Sequence, residues 1–245
     1  RETLDTQLGV FEGFAPKLSA ESCASDVLFL ANIQPDLQRE VRAQLPDASF
    51  VALDSMNLWI DIARDSLVEA IKSVDCLILN DAELRQLTGK PNLLSAARDV
   101  LAWSDASGEA GGRSGVRGAD RADGARKADR ARGVRFIVAK QGEYGAALIT
   151  AERFFSLPAF PLESVVDPTG AGDTFAGGFV GYIAAHLGDG DLSDELLRAA
   201  MAHGTALASF NVEEFGTERV VRLTDEGIST RVRELREITR FSSER

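Results

Sequence analysis

The chain has 245 residues, with 27 Lys plus Arg against 38 Asp plus Glu and 44% apolar residues, enough to build a sizeable core and too apolar for a wholly disordered polymer. Its formal net charge of −11 opposes attraction to nucleic acid and to anionic membrane surfaces, so neither class of partner is expected. Cys23 and Cys76 make neither a disulfide framework nor a Cys-rich zinc site, and apolar runs such as 27–31 fall far short of the roughly 20 residues of a membrane helix, which makes the cytoplasm the simplest compartment.

In chain order, short apolar runs without alternation stand at 27–31 (VLFLA), 50–53 (FVAL), 76–79 (CLIL) and 136–139 (FIVA), the pattern of strands buried on both faces. Helix-like segments at 36–44, 64–73 and 93–103 lie between them and supply the crossovers that a parallel sheet requires. The expectation is one α/β domain over 1–245 with a mostly parallel, doubly wound sheet flanked by helices. The stretch 104–133 interrupts it, with seven Gly, seven Ala, seven Lys or Arg, five Asp or Glu, and Val116 as its only large apolar residue. That composition predicts a disordered, solvated insert. After it, 146–150 and 153–157 predict an antiparallel hairpin at one side of the sheet, followed by helices at about 172–187 and 193–210. The end, 230–245, reads as a charged surface helix or a frayed tail.

The chemistry concentrates in Asp167-Pro168-Thr169-Gly170-Ala171-Gly172-Asp173, which passes from a turn into a helix. Gly170 and Gly172 permit close backbone approach, and the unpaired amides of a helix start, at the positive end of its dipole, suit a phosphate. An acid among such amides is costly beside a triphosphate unless it has a task, and Asp173 is placed to take the proton of an attacking hydroxyl. The bland alternative is a turn with an Asp N-cap. A P-loop fails because Asp173, not Lys, follows Gly172, and the dinucleotide fingerprint fails because Phe175 stands where Gly or Ala is needed.

Three further groups stand after apolar runs. Asn80 and Glu83 offer an amide oxygen and a carboxylate, suited to a hard cation or equally to a helix capping box. Lys140 precedes a Gly142 to Gly145 turn and is read either as a phosphate contact or as an ordinary solvated lysine. Asp54, Asn57 and Trp59 form a D-x-x-N-x-W pattern whose role, structural turn or ligand contact, stays open. His186 and His203 have no partners for a hydrolytic triad and read as surface or packing residues.

The 167–173 segment resembles the C-terminal signature of the PfkB (ribokinase-like) carbohydrate kinases, whose core is DTxGAGD; Asn80 to Glu83 resembles their N-x-x-E element, and Lys140 to Gly145 their K-x-G-x-x-G turn. The resemblance covers roughly 27 to 223 and implies a ribokinase-like fold and ATP-dependent phosphorylation of an alcohol. It implies Asp173 as general base, with the Gly170, Ala171 and Gly172 amides stabilising charge on the transferred group. Asn80 and Glu83 would hold Mg2+, in part through water. Lys140, Gly142, Thr169 and His203 would contact the nucleotide, His203 through a 202–210 helix similar to one that helps form the adenine slot. Asp167 would lie near a monovalent cation. A sugar is the leading substrate and an adenosine-like nucleoside the second, with a non-catalytic nucleotide-binding protein as the alternative and a homodimer as one assembly to expect. The chain departs from the family before residue 27, where no Gly-Gly element, substrate-contacting acid or β lid is found. Residues 1–18 are therefore expected to be the end of a longer N-terminal part.

Overall fold

The computed structural model describes residues 9–11, 13–105, 133–188 and 192–241. The four apolar runs form parallel strands β1 (Val27–Leu30), β2 (Phe50–Asp54), β3 (Cys76–Asn80) and β4 (Phe136–Lys140), and the chain then doubles back in antiparallel β5 (Ala146–Ile149) and β6 (Phe154–Leu157). Among the described residues these strands lie side by side in sequential order. A short helix, α1 (Ala20–Cys23), precedes the sheet, with Ser19 accepting from the Ser22 amide as its cap.

An unbroken apolar run suits a strand covered on both sides, because successive side chains alternate between faces. Val51, Leu53, Leu77, Leu79, Ile137 and Ile149 point to one face, beneath α3 (Asn57–Ile62), α4 (Arg64–Ile71), α5 (Asp81–Thr88) and α6 (Leu93–Asp105). The alternate set, Phe50, Ala52, Cys76, Ile78, Phe136, Val138 and Leu148, packs against α7 (Ala171–His186) and α8 (Asp194–Asn211). The crossover helix α2 (Pro35–Gln44) sends Val41 to the first cluster. Both faces are thus covered, one by the crossover helices and the other by the two helices that follow the hairpin.

The strands and the expected helices lie within about two residues of their predicted bounds, and α1, α3 and α5 are additions. The C-terminal stretch is helical earlier than expected, as α9 (Asp225–Thr239), started by Thr224 capping the Gly227 amide. Arg231 anchors it: its guanidinium lies 3.9 Å from the Phe210 ring centroid and 4.4 Å from that of Phe160, and donates to Ser209 Oγ and Glu213 Oε1, both at 2.8 Å. Of the expected insert, Ser104 and Asp105 end α6, and 106–132 lie outside the described residues. No helix among the described residues is long and apolar enough to cross a membrane.

Candidate active site at the carboxyl edge of the sheet

Parallel strands deliver their last residues to one edge, and here β2, β3 and β4 end on Asp54, Asn80 and Lys140. Asn80 pairs with Lys140 across the β3–β4 ladder, while Asp54 pairs with Ile78, so Asn80 stands two residues beyond the level of Asp54. The end of β3 separates Lys140 from Asp54 by two strand spacings, roughly 10 Å between backbones. The lysine stem spans that gap, and Nζ donates to Asp54 Oδ2 at 2.8 Å. The pair is shielded, with side-chain exposures of 18% for Lys140 and 4% for Asp54. Asp54 Oδ1 accepts from the Ser55 amide at 2.8 Å. Gln38 Nε2 ties the neighbouring strand ends together, donating to the carbonyls of Asp54 and Ala31, both at 2.9 Å.

Burial pushes the Asp54 carboxyl above the usual aspartate range, more strongly than Lys140 pulls it back, and the charge of Asp173 adds to the rise. The two carboxylates therefore share one electrostatic neighbourhood. Glu83 is raised for the same leading reason, opposed by the Asn80 amide and by Lys140 and reinforced by Asp54.

Asn80 and Glu83 form a reciprocal capping box at the start of α5: the Glu83 amide donates to Asn80 Oδ1 at 2.7 Å, and the Asn80 amide to Glu83 Oε2 at 2.8 Å. One oxygen of each side chain is committed to the helix start. Among the described residues no group of three or more His, Cys, Asp or Glu is arranged around a metal site. A divalent ion fits here only in the manner of Mg2+, held by a single carboxylate with water and phosphate oxygens completing its shell.

The 167–174 loop is built to open a helix at a glycine. Asp167 Oδ1 accepts from the Thr169 amide at 3.0 Å, and the Ala171 amide donates to Pro168 O at 3.3 Å. Gly170, the N-cap of α7, has φ 79°, the left-handed region open to glycine. The first full helical bond runs from the Thr174 amide to Gly170 O at 2.8 Å, so the Gly172 and Asp173 amides lie in the first turn, ahead of the intrahelical ladder. At Gly172, a Cβ would stand 3.4 Å from Lys140 Nζ and 3.6 Å from its Cδ. The lysine stem therefore crosses the bare face of Gly172, next to the exposed Asp173. Two outward amides, a helix dipole and an ammonium converge on one spot, which suits the phosphates of a nucleotide.

Asn211, at the end of α8 and 1% exposed, clamps this loop from behind. Its Nδ2 donates to Thr169 O at 2.9 Å and its Oδ1 accepts from Thr174 Oγ1 at 2.8 Å. The Val166 amide adds a bond to Val212 O at 2.8 Å. Nothing in the sequence pairs position 211 with 169 and 174, and the expected helix stopped one residue short of it.

Of the sequence-predicted residues, Asn80, Glu83 and Lys140 meet at the strand ends, and Asp167, Thr169, Gly170, Ala171, Gly172 and Asp173 form the facing loop. Gly142, with φ 58°, opens the exposed turn after Lys140. His203 is not brought here. It stacks on Tyr182, ring centroids 4.1 Å apart, with His186 on the same ring at 4.1 Å. Tyr182 lies eleven residues into α7, about 16 Å along the helix from the loop at 1.5 Å per residue. The α8 residue facing the loop is Asn211. The D-x-x-N-x-W pattern also divides: Asp54 enters the ion pair, Asn57 opens α3, and the buried Trp59 donates to Asn32 Oδ1 at 3.0 Å.

Residues 18–222 match the pfkB family carbohydrate kinase domain. The chain belongs to that family. A cytidine kinase of Thermococcus kodakarensis is 31% identical over 122 residues, which cover 49% of this chain and 33% of the relative. A deoxyribokinase of Salmonella typhi is 29% identical over 149 residues, covering 59% and 36%. The chain thus spans about a third of the length of these relatives. Among solved structures, the Methanocaldococcus jannaschii nucleoside kinase, an archaeal member of the ribokinase family, superposes with a TM-score of 0.61 at 19% identity, over 91% of this chain and 60% of that one. A Vibrio cholerae fructokinase, solved with fructose, ADP and calcium, superposes with a TM-score of 0.64 at 14% identity, over 93% and 64%. At those identities the likeness establishes the ribokinase-like fold.

Proposed function

We propose that the chain catalyses ATP-dependent phosphorylation of a hydroxyl group on a sugar or nucleoside, with Asp173 as general base. The observation that carries this reading is a carboxylate stationed in the first turn of α7, among amides that lie ahead of the intrahelical ladder and beside a lysine fixed at the strand ends. A carboxylate so placed repels a resting phosphate, and its use is to take a proton from the hydroxyl that attacks one. Family membership supports the same reaction, and a cytidine kinase and a deoxyribokinase stand among the relatives.

In this reading the Gly170, Ala171 and Gly172 backbone lies along the transferred phosphoryl group and offsets the charge that develops there. Lys140 and the turn at Gly142 meet the phosphates from the strand side, and Thr169 lines the approach. Magnesium, held near Asn80 and Glu83 in part through water, would neutralise phosphate charge. Asp167, whose carboxylate already braces the loop, is the proposed neighbour of a monovalent cation. The proposed location is the cytoplasm, where ATP is supplied. A sugar remains the first substrate class and a nucleoside the second, because the shared machinery acts on the phosphate and not on the acceptor.

The test is ADP release by the 245-residue chain with Mg-ATP across a panel of sugars and nucleosides, with Mg-ATP affinity measured by calorimetry. Alcohol-dependent ADP release that disappears in Asp173→Asn supports the reading. Mg-ATP binding without release on any alcohol would instead favour a nucleotide-binding role.

A further inference from the structure

Asp54 is the sequence-flagged acid that the proposed reaction leaves unused. It ends a strand buried along its whole length, and its side chain is 4% exposed. Burying a carboxylate is expensive, and an apolar residue of similar volume would serve packing at least as well. The fold nonetheless grips it from several sides: Oδ1 by the Ser55 amide, Oδ2 by Lys140, and the main-chain carbonyl by Gln38. A fixed acid thereby holds a flexible base. The Lys140 ammonium has three N–H donors, one of which is spent on Asp54, and its stem lies across Gly172.

We infer that Asp54 is a positioning residue for phosphoryl transfer that acts through Lys140, holding the ammonium across Gly172 at the start of α7 rather than in a pair with Asp173. This rests on the kinase reading above. Glu83 lies in the field of Lys140, and Asp173 in that of Asp54, so an unheld ammonium would be drawn toward both other carboxylates. A lysine paired with Asp173 would make that acid a weaker base and would no longer face the phosphates.

Two measurements on the full 245-residue chain decide the matter. In the first, lysine side chains are labelled with 15N, and the Lys140 ammonium signal is assigned by its loss in Lys140→Gln. A hydrogen-bonded ammonium exchanges slowly enough to be seen. The signal should be present in the parent, retained in Asp54→Glu and lost in Asp54→Asn with the amide spectrum still dispersed. Its persistence in Asp54→Asn overturns the positioning role, whether or not the chain turns over ATP. In the second, ADP release is compared in the parent, both single variants and the double variant Asp54→Asn/Lys140→Gln. Asp54→Asn should lower kcat by about tenfold or more with KM for the alcohol nearly unchanged, and the double variant should be no slower than Lys140→Gln alone. Losses that multiply show Asp54 acting independently and overturn the inference. The double variant removes both charges of the buried pair and so keeps the test valid if Asp54→Asn folds poorly. A parent chain that releases no ADP contradicts the kinase reading, and the ammonium signal then decides the Lys140 geometry alone.

Discussion

The two ends of α7 put the same residue chemistry to opposite uses. At its N-terminus, backbone amides and an exposed Asp173 face outward, and the nearby ion pair is buried behind them. At its C-terminus, the His186 and His203 rings close on Tyr182, and the His186 Nδ1 lies 2.9 Å from Tyr182 O. The first end has donors left over for a ligand, whereas the second spends its polar atoms and ring faces on the helix pair itself. A titratable side chain on a helix is therefore not a site until the backbone around it has bonds to give.

The largest test of that contrast is Asp173→Asn, which should keep Mg-ATP affinity within a few fold while lowering turnover by roughly 100-fold or more, the scale of a lost general base. Turnover within a factor of about two of the parent in a coupled ADP assay removes Asp173 from the chemistry.

Next is the clamp. Asn211→Ala strips Thr169 O and Thr174 Oγ1 of their partner behind the loop. Denaturant unfolding should show a loss of about 1–3 kcal/mol, and calorimetry a weaker Mg-ATP affinity. Unchanged affinity would mean that the loop holds its shape without α8.

The sequence made the strands and the 167–173 loop readable because both depend on local composition: apolar runs, and glycines before an acid. Asn80 and Glu83 were readable for two roles at once, since a capping box and a cation site ask for the same residue types, and the structure shows the capping bonds directly. The Asp54–Lys140 pair and the Asn211 clamp were hidden, because each joins residues far apart in the chain through a meeting of elements that only the fold creates. The placement of His203 was hidden for the converse reason: a helix of small residues fixes no azimuth or depth, and the structure stacks His203 on Tyr182 while the position facing the loop is eight residues further along.

Smaller effects separate the two ends by pH. Burial holds Glu83 above its ordinary value of 4.5, so the folded chain keeps this proton to higher pH than the unfolded chain does. Its contribution to stability is greatest below 4.5 and declines as pH rises through the folded value. Glu83→Gln, which retains an acceptor for the capping bond, should flatten that decline in urea midpoints taken from pH 4 upward; an unchanged slope would show that Glu83 is not the source.

His203 has the opposite sign. Burial, and then His186, lower it below its ordinary value of 6.5, so the unfolded chain binds the proton first. Stability from this group is complete above 6.5 and falls away as pH drops toward the folded value. His203→Phe should remove that dependence and leave Mg-ATP affinity near the parent's. A marked loss of affinity would instead support a nucleotide contact for His203.

The most direct measurement is a Mg-ATP titration of the 15N-labelled chain followed through its backbone amides. The largest shifts should fall on Gly170, Gly172 and Asp173, with those around Tyr182 and His203 nearly still. Shifts centred on the Tyr182 stack, or none at the α7 N-terminus at saturating nucleotide, would contradict the assignment of this helix start as the phosphate site.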